Sequence, residues 1–386
     1  MISALPIADD QAALLALVVA GGPLAPRRHL LDIYPNPAQV LEAGLAAWCN
    51  AGCTPAQCAR LASPNPTHLR NASQWLTHPQ HHLIGWNHAD YPPLLKQIAQ
   101  PPCALFIDGD PLLLWHPCIA IVGTRRASVS GKDNAYYFAN VCARSGLTIV
   151  SGMAAGIDAF AHHGALETAD QRTIAVLGCG PDYAYPSAHS ALRDKIAACG
   201  AVVSEYPPGT RPYQAYFPAR NRIVAGLTMA TVVIEAPLRS GALITARLAA
   251  EAGREVFALP GSIQHTMSRG CNALLRQGAA LLENPAEIIL ALDSLPDFLV
   301  HSILARLGDV DHGILRGTHH NPRFSCNTFR LVWQLLDDNP VTIDTLAQHS
   351  GLEVSTLSAI LLSLEIDGYL CVENAKYFRS TKYLTC

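Results

Sequence analysis

The chain has 386 residues, half of them hydrophobic and 15% charged, with a formal net charge of −3. That length and apolar content suffice for two or three domains with their own cores, and the lack of any run of about 20 apolar residues argues against a membrane span. A mildly acidic total excludes a uniformly basic nucleic-acid binder, so a polyanion site has to arise from local clustering.

The N-terminal region opens with Asp9 and Asp10 ahead of an apolar patch and has no basic stretch. It is therefore not read as a signal peptide, and a cytoplasmic location is expected. The segments QAALLALVVA, PAQVLEAGLAAW and TPAQCARLA have helical periodicity and are punctuated by Pro and Gly; they predict a small helical (SAM-like) domain over residues 1–80. Cys49, Cys53 and Cys58, followed by His68, His78, His81 and His82, fit no standard zinc spacing. Helical packing is the preferred reading, and no metal or cofactor is expected. The 12 cysteines include no CxxC pair and read as reduced thiols.

A Pro- and His-rich stretch over 78–104 leads out of the helical module. From residue 118 the pattern changes to strand–helix alternation. CIAIVG, LTIVSG, TIAVLG, AVVSEY, ATVVIEA and EVFALPG read as strands, and segments such as 132–145, GIDAFAHHGAL, HSALRDKIAACG and LITARLAAEAG as helices. Continuous apolar strands of this kind predict an α/β fold, a doubly wound and mainly parallel sheet that ends near residue 292. Residues 293–325 read as a linker. Residues 326–386, with FRLVWQLLDDN, VTIDTLAQHS, EVSTLSAILLSLEIDG and the hairpin YLCVENAKYFRS, read as a winged-helix domain. Its candidate recognition helix, Val354 to Ile366, holds no Lys, Arg, Asn or Gln with which to read base edges. An accessory or protein-contact role is expected for it.

The local clustering lies between residues 211 and 276, where eight arginines stand against three acids and no lysine occurs. Three arginine-bearing loops are read between residues 204 and 276, SEYPPGTRPYQAYFPARNR, EAPLRSGALITA and LPGSIQHTMSRGCN, each at the end of an apolar strand. Arginine makes planar, bidentate phosphate contacts. Small residues at the other strand ends, Gly123-Thr124-Arg125, the run from Ser151 and Gly152 to Asp158, and Gly178-Cys179-Gly180, let backbone N–H groups approach an anion. Tyr213, Tyr216 and Phe217 precede Arg220 and Arg222, an interleaving that suits unpaired bases. No GxGxxG fingerprint, Walker loop or GxSxG elbow is present. Asp158 and His162, four apart on a predicted helix, read as capping and packing residues. No catalytic set emerges.

These motifs resemble the DNA-processing protein A family (DprA, also called Smf). The segments YPPLLKQIAQPPCALFIDGD, AIVGTRRAS, SGMAAGIDAFAHHGAL, TIAVLGCGPDYAYP, SEYPPGTRP, FPARNRIVAGL, VVIEAPLRSGALITARLA, GREVFALPGS and GCNALLRQGA cover about 90–280 in family order. The resemblance implies an extended Rossmann-like domain over residues 81–292, in a non-enzymatic protein that binds single-stranded DNA, forms a homodimer and helps load the RecA recombinase during natural transformation. It places Gly123, Thr124 and Arg125 in the family's Gly-Ser/Thr-Arg motif and Phe217, Arg220, Asn221 and Arg222 in FPxRNR. Arg239, Ser240 and Gly241 fall in RSG, and Asn272 in GxN. With Gly152 these are the expected DNA-binding residues. Ala155 stands where many relatives carry Arg or Lys, and Ser187 where some carry Lys, which softens the positive pocket. The front module lacks a clear GxG hairpin, and the wing lacks the usual Pro-Gly. The runner-up is a nucleotide-processing, phosphoribohydrolase-like enzyme, but Pro237–Thr245 lacks a Glu at the spacing of the PGGxGTxxE motif. A sequence-specific regulator is disfavoured by the apolar recognition helix.

Overall fold

The computed structural model describes residues 5–293, 332, 335–336, 341–366, 370–373 and 376–379. Two compact units are present, Met1–Leu307 and Gly308–Cys386.

The first unit begins with six short helices: α1 (Asp9–Val19), α2 (Leu24–Ile33), α3 (Pro37–Glu42), α4 (Gly44–Asn50), α5 (Pro55–Ala62) and α6 (Pro66–Trp75). Three of them start with the same device, a capping side chain followed by proline. Asn36, Thr54 and Asn65 accept from backbone N–H groups of the first turn, and Pro37, Pro55 and Pro66 follow where no N–H is needed. Thr54 and Gln57 complete a capping box.

The chain then builds β1 (His81–Gly85), α7 (Pro93–Lys96), β2 (Ala104–Gly109), β3 (Cys118–Val122), α8 (Val129–Arg144), β4 (Thr148–Ser151), α9 (Ile157–Leu166), β5 (Thr173–Leu177) and α10 (Ser190–Cys199). It continues with β6 (Ala201–Ser204), α11 (Tyr216–Leu227), β7 (Ala230–Val233), α12 (Gly241–Glu251), β8 (Glu255–Ala258), α13 (Arg269–Arg276), β9 (Ala280–Leu281) and α14 (Pro285–Asp293). The nine strands lie in the order β1-β2-β6-β5-β4-β3-β7-β8-β9. From β6 to β9 all neighbours are parallel, whereas β1 and β2 add on antiparallel beside β6. The doubly wound, mainly parallel sheet is as expected. β1 falls in the Pro- and His-rich stretch read as leading out of the helical module, and β2 begins at its end.

Alternation along β3 shows how the sheet is sandwiched. Cys118, Ala120 and Val122 join a core with α11 and α12, while Ile119 and Ile121 join the core under α8 and α9. The N-terminal helices share a third core with Leu83, Ala104 and Phe106 of the antiparallel edge.

The second unit contains β10 (Val341–Thr342), α15 (Ile343–Ser350), α16 (Val354–Ile366), β11 (Leu370–Glu373) and β12 (Lys376–Arg379), with a three-stranded antiparallel sheet in the order β10-β12-β11. Thr342 caps α15, and Gly351, at φ +68°, ends it in the left-handed conformation that starts the turn into α16. Leu346, Leu357, Ile360, Leu361, Leu364 and Leu370 form its core with Val332 and Leu336. This is the expected winged helix. The expected linker over 293–325 lies outside the described residues apart from Asp293, as does most of the helix expected over FRLVWQLLDDN. Among the described residues no helix is long and apolar enough to cross a membrane.

Candidate functional site

Strand order reverses at β3. The chain leaves β3 through α8 toward β4 on one side, and the later strands β7 and β8 are laid down on the other. Loops after β3 and β7 therefore diverge at the carboxyl edge, which is where open α/β sheets form ligand crevices. The β3 loop is tied across this gap. Thr124 N–H donates to the Glu235 carbonyl at 2.7 Å. The Glu235 carboxylate accepts from the Ser128 N–H (2.9 Å) and hydroxyl, and Ser128 in turn caps α8 by accepting from Gly131 N–H at 2.9 Å. A Cβ at Gly123 would press on Ile157 and on the Glu235 carbonyl, and one at Gly131 would overlap the Glu235 carboxylate. Both positions hold glycine because the two loops approach this closely. The result is a pinned loop that presents Arg125 and Arg126 to solvent.

The crevice is a cleft of about 760 Å³. Thr124, Arg125 and Arg126 form one wall, Phe217, Arg220 and Asn221 of α11 a second, and Arg239, Ser240 and Gly241 a third. Arg220 is only 6% exposed. Its Nε is buried with no hydrogen-bond partner among the described residues. Burial pulls its pKa down, with Asp158 opposing; an arginine keeps its charge through such a shift. Asp158, also 6% exposed, accepts from Gly152 N–H at 3.2 Å and Ala154 N–H at 3.4 Å. Burial raises its pKa, against the pull of the Arg220 charge and the backbone donors. A Cβ at Gly152 would overlap the Arg220 guanidinium, so glycine there makes the seat for this cation. The aromatic part of the cleft is Phe217, with the Arg125 guanidinium carbon 5.6 Å from its ring centroid and the Tyr185 ring 4.8 Å away. Tyr185 is 41% exposed.

Nine of the twelve expected residues thus meet in one cleft: Gly123, Thr124, Arg125, Phe217, Arg220, Asn221, Arg239, Ser240 and Gly241. Gly152 lies behind Arg220. Arg222 and Asn272 are not among the residues lining it. The FPARNR segment, expected as a loop, is helical in α11. Two residues along a helix turn the side chain by about 200°, so Arg222 faces away from Arg220, pairs with Glu205 at 2.6 Å and borders a separate cavity of about 720 Å³. Asn272 fastens the loop after β8, donating to the Gly261 carbonyl (2.9 Å) and accepting from its N–H (3.3 Å). Asn221 donates to the Gly241 carbonyl at 3.1 Å, and Ser240 caps α12 by accepting from Ala242 N–H at 3.2 Å. These two polar groups hold the cleft's shape.

The positive excess of residues 211–276 is also dispersed. Arg247 pairs with Glu251, and Arg254 donates to Gln97 and to the Leu94 carbonyl. Tyr185 is not among the residues the sequence nominates, and Asp158, expected as a capping and packing residue, accepts from backbone N–H groups ahead of α9 and also lines the cleft. The pair Tyr183 and Tyr185 after the Gly178–Gly180 turn was the available signal for an aromatic at this strand end. His162, by contrast, packs as expected: it is fully buried and hydrogen-bonded to Thr173 at 2.7 Å, and burial pushes its pKa down to about 3.

The family model described as DNA recombination-mediator protein A matches residues 82–293, more than half of the chain. The chain belongs to the DNA recombination-mediator protein A family. Residues 328–373 match the winged-helix domain of the same family. Protein Smf of Escherichia coli (strain K12) is 35% identical over 333 residues, covering 85% of each chain. DNA processing protein DprA of Streptococcus pneumoniae is 44% identical over 199 residues, 52% of this chain and 70% of that one. The X-ray structure of the S. pneumoniae protein superposes with a TM-score of 0.63 at 34% identity, over 71% of this chain and 95% of that one. DNA processing protein A of Helicobacter pylori, whose structure was described for its single-stranded DNA binding mode, gives a TM-score of 0.50 at 33% identity, over 56% of this chain and 97% of that one.

Proposed function

We propose that this family member binds single-stranded DNA in the strand-end cleft and acts as a recombination mediator, protecting incoming DNA and helping to load RecA during natural transformation, as a cytoplasmic homodimer. The observation that carries the reading is the buried, incompletely bonded Arg220 facing the same cleft as the exposed Arg125 and the half-buried Phe217. Arg125, Arg220 and Arg239 hold phosphates, and Phe217 with Tyr185 offers ring faces to an unpaired base. A duplex keeps its bases stacked inside and cannot use those faces.

The cleft holds its ligand without a chemical step. Its two nearby carboxylates are committed elsewhere, Glu235 to Ser128 and Asp158 to backbone N–H groups beside Arg220. Recognition through phosphates and ring faces is tolerant of sequence and sensitive to salt. Three arginine–phosphate contacts predict a log–log salt slope of about −2 for a single strand. Affinity for an oligo-dT strand, compared with a matching duplex over a series of salt concentrations, tests this. Tighter binding of the single strand with that slope is expected; equal affinities or a flat salt response would overturn it.

A further inference from the structure

We propose that Cys49 and Cys58 in the N-terminal helical module are a peroxide-responsive dithiol that closes to an intramolecular disulfide. Cys49 lies near the end of α4 and Cys58 within α5, and their sulfurs are 3.8 Å apart. That is contact distance for two thiols, and closing it to a bond of about 2.05 Å needs a shift of less than 2 Å. The pair is asymmetric in exposure. Cys49 is open to solvent, while Cys58 is 3% exposed, with its thiol directed at the Cys53 carbonyl at 3.9 Å. A free cysteine that only fills a core is buried; Cys49 is not, yet it rests on one that is.

The exposure sets the order of events. The Cys49 thiolate attacks the O–O bond of a hydroperoxide. That bond breaks, Cys49 gains a hydroxyl as sulfenic acid, and the remaining oxygen leaves with a proton as water or alcohol. Cys58 sulfur then attacks Cys49 sulfur. The S–S bond forms, the S–O bond breaks, and the hydroxyl departs with the Cys58 proton as water. Two thiols lose two electrons, and the peroxide gains them. Burial and the neighbouring Cys49 both push the Cys58 thiol up, so it is less ionised than an ordinary thiol and is not the sulfur that meets the peroxide first.

The disulfide staples α4 to a corner already fixed. Gln57, beside Cys58 and fully buried, donates to the Gly21 and Pro23 carbonyls at 2.8 and 2.9 Å. Closing the bond therefore ties α4 to the α1–α2 turn through α5.

Hydrogen peroxide added to the full-length protein, followed by non-reducing peptide mass spectrometry, tests the assignment. The expected product is a Cys49–Cys58 linked peptide, two hydrogens lighter than its reduced parts and reopened by dithiothreitol. With Cys58→Ser, Cys49 should stop at a sulfenic acid that dimedone captures. With Cys49→Ser, Cys58 should remain a thiol. In the unaltered protein, a bond from either residue to Cys53, a bond between two chains, or conversion of Cys49 to sulfinic acid without a disulfide would each overturn the proposal.

Discussion

Two regions of the chain have shapes that nucleic-acid-binding proteins use, the strand-end cleft and the winged helix, and they differ in what they present. The cleft gathers Arg125, Arg126, Arg220 and Arg239 around Phe217. The winged unit has the helix-turn-helix geometry, but the side of α16 away from its core carries Val354, Ser355, Thr356, Ser358 and Leu362, with Glu365 near its end. Among the described residues of that helix no side chain is cationic or an amide. Shape alone therefore does not nominate a site. The cleft qualifies because positive charge, a ring face and an incompletely satisfied buried donor converge there, and the described residues of α16 offer none of the three.

The sharpest way to break this contrast is Gly152→Ala. The new methyl group takes the space of the Arg220 guanidinium, which must leave its buried seat beside Asp158. A charge-assisted hydrogen bond contributes roughly 1.5–3 kcal/mol, so single-strand affinity should fall on the order of 30-fold or more, and the thermal unfolding midpoint should drop with it. Unchanged binding would show that Arg220 does not face the DNA. Arg125→Ala comes next. Arg125 is exposed, so the fold should survive, and affinity should fall by about tenfold with a salt slope shallower by about 0.7. An unaltered slope by fluorescence anisotropy would remove Arg125 from the phosphate contacts.

Phe217→Leu separates stacking from charge. It retains apolar bulk against Tyr185 while removing the ring face, and a loss of about fivefold with no change in salt slope is expected. A change in slope instead would mean that Phe217 serves mainly to position Arg125, whose guanidinium lies over its ring.

The two regions were unequally legible in the sequence. Central strands β3 to β8 announced themselves by β-branched runs between Gly-rich turns, and the winged helix by its periodicity. β1 and β2 did not. His81 and His82 give β1 a polar start, and the prolines between the two strands resemble a connector. α11 was masked for a related reason. Pro218 falls in its first turn, where a helix tolerates proline, yet beside PPGTRP it reads as loop. Taking α11 for a loop made Arg220 and Arg222 equivalent. Only the helical period sends one into the cleft and the other to Glu205. A count of arginines carries no direction, and direction decides which of them meets DNA.

The smallest expected effect lies in the winged helix, and it is the cleanest check on the contrast. Leu357 is fully buried in the core of that unit, so Leu357→Asp places a carboxylate among Leu346, Ile360, Leu361 and Leu364 and should unfold it. Circular dichroism would register the lost helix. If the cleft alone holds the DNA, single-strand affinity should stay within about twofold, as for sites that do not interact. A loss approaching that of Arg125→Ala would mean that the winged unit contributes binding energy through groups outside α16, such as the exposed Lys376. In that case the lack of cations on a recognition helix would not be enough to exclude its domain from the DNA.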